Sequence, residues 1–210
     1  MDLSVWLAFV AATTALLLIP GPTVLLVLSY AVGHGRRVAV ATALGVALGD
    51  LVAMTASLAG LGALVLASAS LFLILKWVGA VYLIYLGIQL LLGAKSAGLT
   101  VISDAPELPR GRIFAHAAAV TALNPKSIAF FIAFVPQFIR AEAPLMPQFA
   151  ILVGTFVGLA GVNALAYALL AARMRAVIGR PAVIAWLTRL GGGALIAMGL
   201  ATAALRRAQA

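Results

Sequence analysis

The sequence predicts an all-α polytopic membrane protein, with six transmembrane helices arranged as two inverted-topology three-helix repeats. Three observations carry that expectation. The first is composition: of 210 residues, 65% are hydrophobic, a further 20 are glycine, and 9% are charged. A soluble domain carries about 25% charged residues, so this chain has too few to cover a water-facing surface. The second is the length of the apolar runs, which match the roughly 20 residues that a helix needs to cross a bilayer. The third is their uniformity. They are apolar on every face, whereas a transmembrane barrel shows short alternating strands.

The runs fall at about 4–31, 38–66, 70–93, 113–139, 146–172 and 182–205. The first has no basic residues ahead of it and exceeds the core of a signal peptide, so it reads as a retained helix. The second holds Gly45, Gly49 and Asp50, and the third runs from Lys76 to Gly87 and beyond. The segment at about 94–112, with Lys95, Asp104, Pro106, Glu107, Pro109, Arg110 and Arg112, reads as the linker between two repeats (about 4–93 and 113–205) of a single membrane domain. The fourth run contains Asn124-Pro125-Lys126, the fifth Gly154, Gly158 and Asn163, and the sixth a run of three glycines from Gly191.

The repeats match span by span. Leu75–Gly87 and Leu187–Gly199 share five of thirteen positions, and the four-residue glycine spacing of span two recurs in span five. Span one breaks at Pro20-Gly21-Pro22 and span four at Asn124-Pro125-Lys126. With three spans per repeat, the second enters the membrane in the opposite sense. That arrangement suits alternating access around a midplane site flanked by broken helices.

Net charge is +9, from 14 Lys/Arg against 5 Asp/Glu. No basic stripe is interleaved with aromatics, so nucleic acid is not expected as a partner. The cations sit between apolar runs, where topology rules place them. With the N-terminus outside, the inner loops hold Arg36, Arg37, Lys95, Arg110, Arg112, Arg173, Arg175 and Arg180, and the outer side holds Arg140, Arg206 and Arg207. Eight against three favours external, periplasmic termini. No cysteine is present, which removes disulfides and thiol chemistry.

Candidate functional residues are the polar ones that hydrocarbon does not tolerate without a reason. Pro20 and Pro22 remove two backbone donors inside span one and Gly21 relaxes the chain between them, so freed carbonyls need other partners. The segment starting at each break presents a positive dipole end suited to a carboxylate. Asp50 is the only acidic residue deep in a span. Its insertion costs about 2.5–3.5 kcal/mol, and the expected role is ion coupling or binding of a substrate ammonium. Lys126, beside Asn124 and Pro125, is its expected partner across the repeats. Lys76, Asn163 and Tyr82 are secondary candidates: Lys76 as an interfacial or functional cation, Asn163 as a helix–helix hydrogen bond, Tyr82 as a packing or interfacial aromatic. The two glycine pairs read as close helix packing first and as a homo-oligomer face second. His34 and His116 lack metal-ligand companions, no phosphate-binding loop is present, and no catalytic group, metal or cofactor is expected.

These motifs together resemble the LysE/RhtB family of amino-acid exporters over nearly the whole chain. The likeness rests on Pro20-Gly21-Pro22, on Gly45 to Asp50, on Lys76-Trp77-Val78-Gly79-Ala80-Val81-Tyr82-Leu83-Ile84-Tyr85-Leu86-Gly87, and on Asn124-Pro125-Lys126 followed by Phe130-Phe131 and Pro136-Gln137-Phe138. The resemblance implies a bacterial inner-membrane exporter of amino acids or close derivatives driven by the proton motive force. A single intramembrane carboxylate favours small neutral substrates of the homoserine, threonine or leucine type over dibasic ones. The alternatives are an uncoupled facilitator and an exporter of another small solute.

Overall fold

The computed structural model describes residues 1–18, 21–93, 108–140, 143–178 and 181–204. They form eight α-helices and two short 3-10 turns, with no strand among them. In order these are α1 (Leu3–Leu18), α2 (Pro22–His34), a 3-10 turn (Arg36–Val38), α3 (Ala39–Ala67), α4 (Ala69–Gly93), α5 (Arg110–Ala122), α6 (Pro125–Ala133), a 3-10 turn (Val135–Phe138), α7 (Leu145–Ile178) and α8 (Pro181–Ala204). Residues 94–107 of the expected linker lie outside the described residues, and its last three residues open α5.

Proline decides where the two broken helices restart. Gly21 is the extended N-cap of α2 and Pro22 its first residue, while Asn124 and Pro125 play the same parts for α6. At the first helical position the missing N–H costs nothing, and proline's fixed φ suits the helix. The first pair, α1 with α2, bends by 55°; the second, α5 with α6 and its 3-10 extension, bends by 45°. Arg36–Ala63 and Leu145–Ala171 are each long and apolar enough to cross a membrane unbroken. With each bent pair counted as one span the total reaches four. The helices α4 and α8 run for 25 and 24 residues.

Helix α2 ends at Gly35, whose φ of +71° is the left-handed conformation that only glycine adopts without strain. Its N–H closes on the Ala31 carbonyl at 3.0 Å, and the chain turns into α3.

Packing follows an exchange between the two halves. Helices α5 and α6 pack on α3, α1 and α2 pack on α7, α3 meets α7, and α4 meets α8. Lipid is as apolar as leucine, so close fit rather than water exclusion holds such helices together. The glycines show where the fit is closest. A Cβ on Gly45 would stand 2.5 Å from the Phe114 carbonyl oxygen, and one on Gly49 2.5 Å from that of Ala118. Gly87 and Gly192 are each 2.6 Å from the other's carbonyl oxygen by the same measure, so α4 and α8 cross on bare backbone. Gly154 and Gly158 differ: a Cβ on either meets nothing within 4 Å, so the helix packing expected for that pair is absent.

Between α1, α6 and α7 the core is aromatic. Phe9 meets Phe138 edge-on at 5.2 Å, and Phe134, Phe130 and Phe156 continue the column, each ring centroid 5.0–6.0 Å from the last. Phe156 is also the aromatic wall of the cavity described next.

Candidate functional site

An α-helical N–H bonds the carbonyl four residues earlier. Pro20 and Pro22 have no N–H, so the carbonyls of Leu16 and Leu18 lose their helical partners, and the turn at Gly21 takes the Leu17 carbonyl out of the ladder. All three are met by side chains from the second half of the chain. Lys126 Nζ donates to Leu16 O, Asn163 Nδ2 to Leu17 O and Tyr167 Oη to Leu18 O, each at 3.1 Å. Leaving them bare in hydrocarbon would cost several kcal/mol apiece.

The second break is closed more tightly. Asn124 Oδ1 accepts the Lys126 backbone N–H at 3.0 Å and so caps α6. The other end of that amide, Nδ2, donates to Thr23 Oγ1 at 3.0 Å, and Thr121 Oγ1 donates to the same oxygen at 3.4 Å. Thr23 and Lys126 each directly follow the proline that opens a half-helix, and each reaches the opposite break.

Between the breaks lies a cavity of about 40 Å³, lined among others by Gly21, Thr23, Asp50, Asn124, Lys126, Asn163 and Tyr167. One water needs about 10–15 Å³ measured this way, so there is room for a few waters but not for an amino acid. Asp50 is 2% exposed and its Oδ1 has no hydrogen-bond partner. Its charge and that of Lys126 attract each other across this space. The neighbouring Gly49 brings α3 against α5 beside Thr121, which fixes the depth of Asp50 relative to the second break.

Asp50, Lys126, Asn124, Gly21 and Asn163 thus share one cavity. Pro20 lies outside the described residues, and so does the side chain of Lys76, whose backbone belongs to α4. Pro22 is exposed at the start of α2. Pro125 and Tyr82 do not line the cavity; they face an apolar groove of about 340 Å³ between α4 and α6. Asn163 makes the helix–helix hydrogen bond expected of it, from α7 to α1, and its acceptor is one of the freed carbonyls. Tyr167, one turn beyond Asn163 on the same face of α7, was not among the sequence candidates. Thr23 and Thr121 were missed because hydroxyls are unremarkable in membrane helices until their partners are known.

The family model described as LysE type translocator matches residues 14–205. A protein of Salmonella typhimurium named homoserine/homoserine lactone efflux protein is 36% identical over 203 residues, covering 97% of this chain and 98% of its own. An uncharacterized membrane protein of Vibrio cholerae is 32% identical over 200 residues, 95% and 97% of the two chains. The leucine efflux protein of Salmonella choleraesuis is 35% identical over 142 residues, 68% of this chain and 66% of that one. No solved structure matches. The chain is a multi-pass membrane transporter, not an enzyme, and it belongs to the LysE type translocator family.

Proposed function

We propose that this protein is a secondary exporter of small neutral amino acids or their close derivatives, coupled to inward proton movement. The observation that carries the reading is that the buried Asp50 shares one cavity between two helix breaks with Lys126. The ammonium of a zwitterionic substrate would lie at Asp50. Its carboxylate would lie at Lys126 or at the half-helix starts, where Thr23 and Ser127 line the cavity. The names of the relatives support an amino-derivative as cargo. Homoserine and its lactone both carry an α-ammonium, and only homoserine carries a carboxylate. A site built around one buried acid fits what the two molecules share.

Proton loading of Asp50 would release the bound ammonium, which ties outward substrate movement to inward proton movement. The scaffold for alternating access would be six spans in two inverted repeats, in an inner membrane with both termini outside. The exchanged packing supports it: each half's broken helix rests on the other half's unbroken one. Because the cavity is smaller than an amino acid, loading needs the halves to part.

The test is efflux from preloaded vesicles with a panel of labelled amino acids, with and without a protonophore. Protonophore-sensitive efflux of homoserine, threonine or leucine is expected. Efflux that ignores the protonophore would make the protein a facilitator, and no efflux of any amino acid would turn the search to other small solutes.

A further inference from the structure

We propose that the Leu16 carbonyl and the Asp50 carboxylate together form a receptor for a primary ammonium group, in which Lys126 is an internal ligand that the substrate's ammonium replaces. The substrate clause rests on the exporter reading above and deepens it; the receptor itself stands on geometry.

Three observations lead there. The three freed carbonyls of the first break are not capped alike. Leu17 O and Leu18 O are held by Asn163 and Tyr167, a short amide and a phenol rooted in the long helix α7. Leu16 O is held by the end of a flexible four-carbon stem. Second, a bare acceptor waits in the same small cavity: Asp50 Oδ1, buried and without a hydrogen-bond partner. Third, the lysine lies in a bed made for it. A Cβ on Gly21 would come within 3.2 Å of Lys126 Cδ and 3.4 Å of Nζ, so the stem runs directly over the glycine.

A lysine side chain ends in the same group that an α-amino acid presents, a primary ammonium whose nitrogen carries three N–H donors. Whatever acceptors suit one suit the other. A tethered ammonium competes at a high effective concentration, in the millimolar range or above, so an untethered one binds well only where the lysine has moved or been removed. Release also turns Lys126 toward the remaining polar groups of the cavity, where a substrate carboxylate would meet it. Recognition and rearrangement become one exchange: the substrate's ammonium takes the Leu16 carbonyl from Lys126, adds the bare Asp50 oxygen, and frees the cation that crosses between the repeats.

The experiment uses the purified full-length protein in detergent, with methylammonium as the probe and tetramethylammonium, which has no N–H, as its control. Thermal unfolding is followed for wild type, Lys126→Ala and Lys126→Ala/Asp50→Asn. Methylammonium at tenfold its Kd is expected to raise the Tm of Lys126→Ala by about 3 °C, with no rise for tetramethylammonium. At the same concentration wild type and the double variant should shift by less than a third of that. Equal shifts from the two ions, or equal shifts in wild type and Lys126→Ala, would overturn the proposal. Should Lys126→Ala fail to fold, Lys126→Leu fills more of the stem's bed while still lacking the ammonium, and it must then respond to methylammonium more than wild type does. The readout needs no transport. A protein that exports no amino acid but shows this pattern loses the exporter reading and keeps the ammonium site, and the reverse result separates the two equally well.

Discussion

The ammonium of Lys126, one residue into the half-helix after the second break, donates to the carbonyl oxygen of Leu16 at the end of α1, 3.1 Å away. That bond joins the two breaks directly, and it exists because Pro20 has no N–H to offer Leu16. The lysine also feels Asp50 across the shared cavity. Removing either charge takes a counter-charge away from the other in a poorly solvated place. Lys126→Met and Asp50→Asn, measured singly and together by unfolding in detergent, are therefore expected to be non-additive by at least ~1 kcal/mol. Additive effects would mean that the two side chains do not act on each other.

Tyr167 and Asn163 make the same argument with neutral groups. Each supplies one hydrogen bond to a carbonyl that the helix cannot satisfy. Interhelical hydrogen bonds in membranes are worth about 0.6 kcal/mol on average and up to ~1.7. Tyr167→Phe and Asn163→Leu should each lie at the upper end, because no other donor replaces them, and both should slow efflux. Tyr85→Phe is the control. Tyr85 is exposed on α4 and, among the described residues, its hydroxyl accepts from the Gln89 side chain one turn on, so its loss should stay within about 0.5 kcal/mol.

How much of this was legible beforehand depends on what a residue's chemistry announces by itself. Asp50 and Lys126 announce themselves, since a charge in hydrocarbon needs a reason, and Pro20-Gly21-Pro22 announces a break. Their convergence on one cavity follows from packing, which the repeat pattern hinted at. Of the three partners of the freed carbonyls, Tyr167 did not announce itself. A tyrosine in a membrane helix has many ordinary uses, and only the approach of α7 to the end of α1 makes Tyr167 a cap. One of the two glycine pairs was misread for a similar reason. Gly45/Gly49 and Gly154/Gly158 are indistinguishable as sequence, but the first pair faces α5 while the second is exposed with nothing near it.

That difference gives a contrast at fixed chemistry. A methyl group added at Gly49 would stand 2.5 Å from the Ala118 carbonyl oxygen and 2.6 Å from Thr121 Cβ, and backbone does not give way cheaply. Gly49→Ala should cost about 1–3 kcal/mol and move Asp50 with the helix, lowering efflux as well as stability. Gly158→Ala adds a methyl group to open space on a helix. It should be neutral or stabilising by up to ~1 kcal/mol, as expected from helix propensity. Thermal unfolding of the two variants side by side decides it; a costly Gly158→Ala would mean that this face is covered in the working protein.

The turn before α7 offers a second contrast, between an ion pair and a buried amide. Arg140 pairs with Asp2, and both side chains are more than half exposed. Nearby Gln148 is 5% exposed and bonds the backbone of Arg140, Ala143 and Pro144. Its Oε1 accepts the Arg140 N–H at 2.9 Å, and its Nε2 donates to the carbonyls of Arg140 at 3.0 Å and Pro144 at 3.1 Å. An exposed pair contributes at most about 1 kcal/mol, whereas loss of a buried amide that leaves its backbone partners unpaired costs about 1–3. Gln148→Leu should thus destabilise more than Arg140→Ala and open the turn to protease, and limited proteolysis of the two variants reads both effects. Cleavage that is faster in Arg140→Ala would reverse the assignment.

The last contrast concerns coupling itself. Asparagine has nearly the shape of aspartate but cannot take up and release a proton, and its amide offers donors where the carboxylate offers only acceptors. If Asp50 carries the coupling proton, Asp50→Asn should still fold, because Oδ1 has no partner to lose. Its net export against a concentration gradient should fall by at least tenfold, while exchange of labelled for unlabelled substrate falls less, since exchange needs no proton. Imposing an inward proton gradient on loaded vesicles should then accelerate wild-type efflux and leave the variant unmoved. An Asp50→Asn protein that still answers the gradient would place the coupling proton elsewhere and leave Asp50 only its acceptor role.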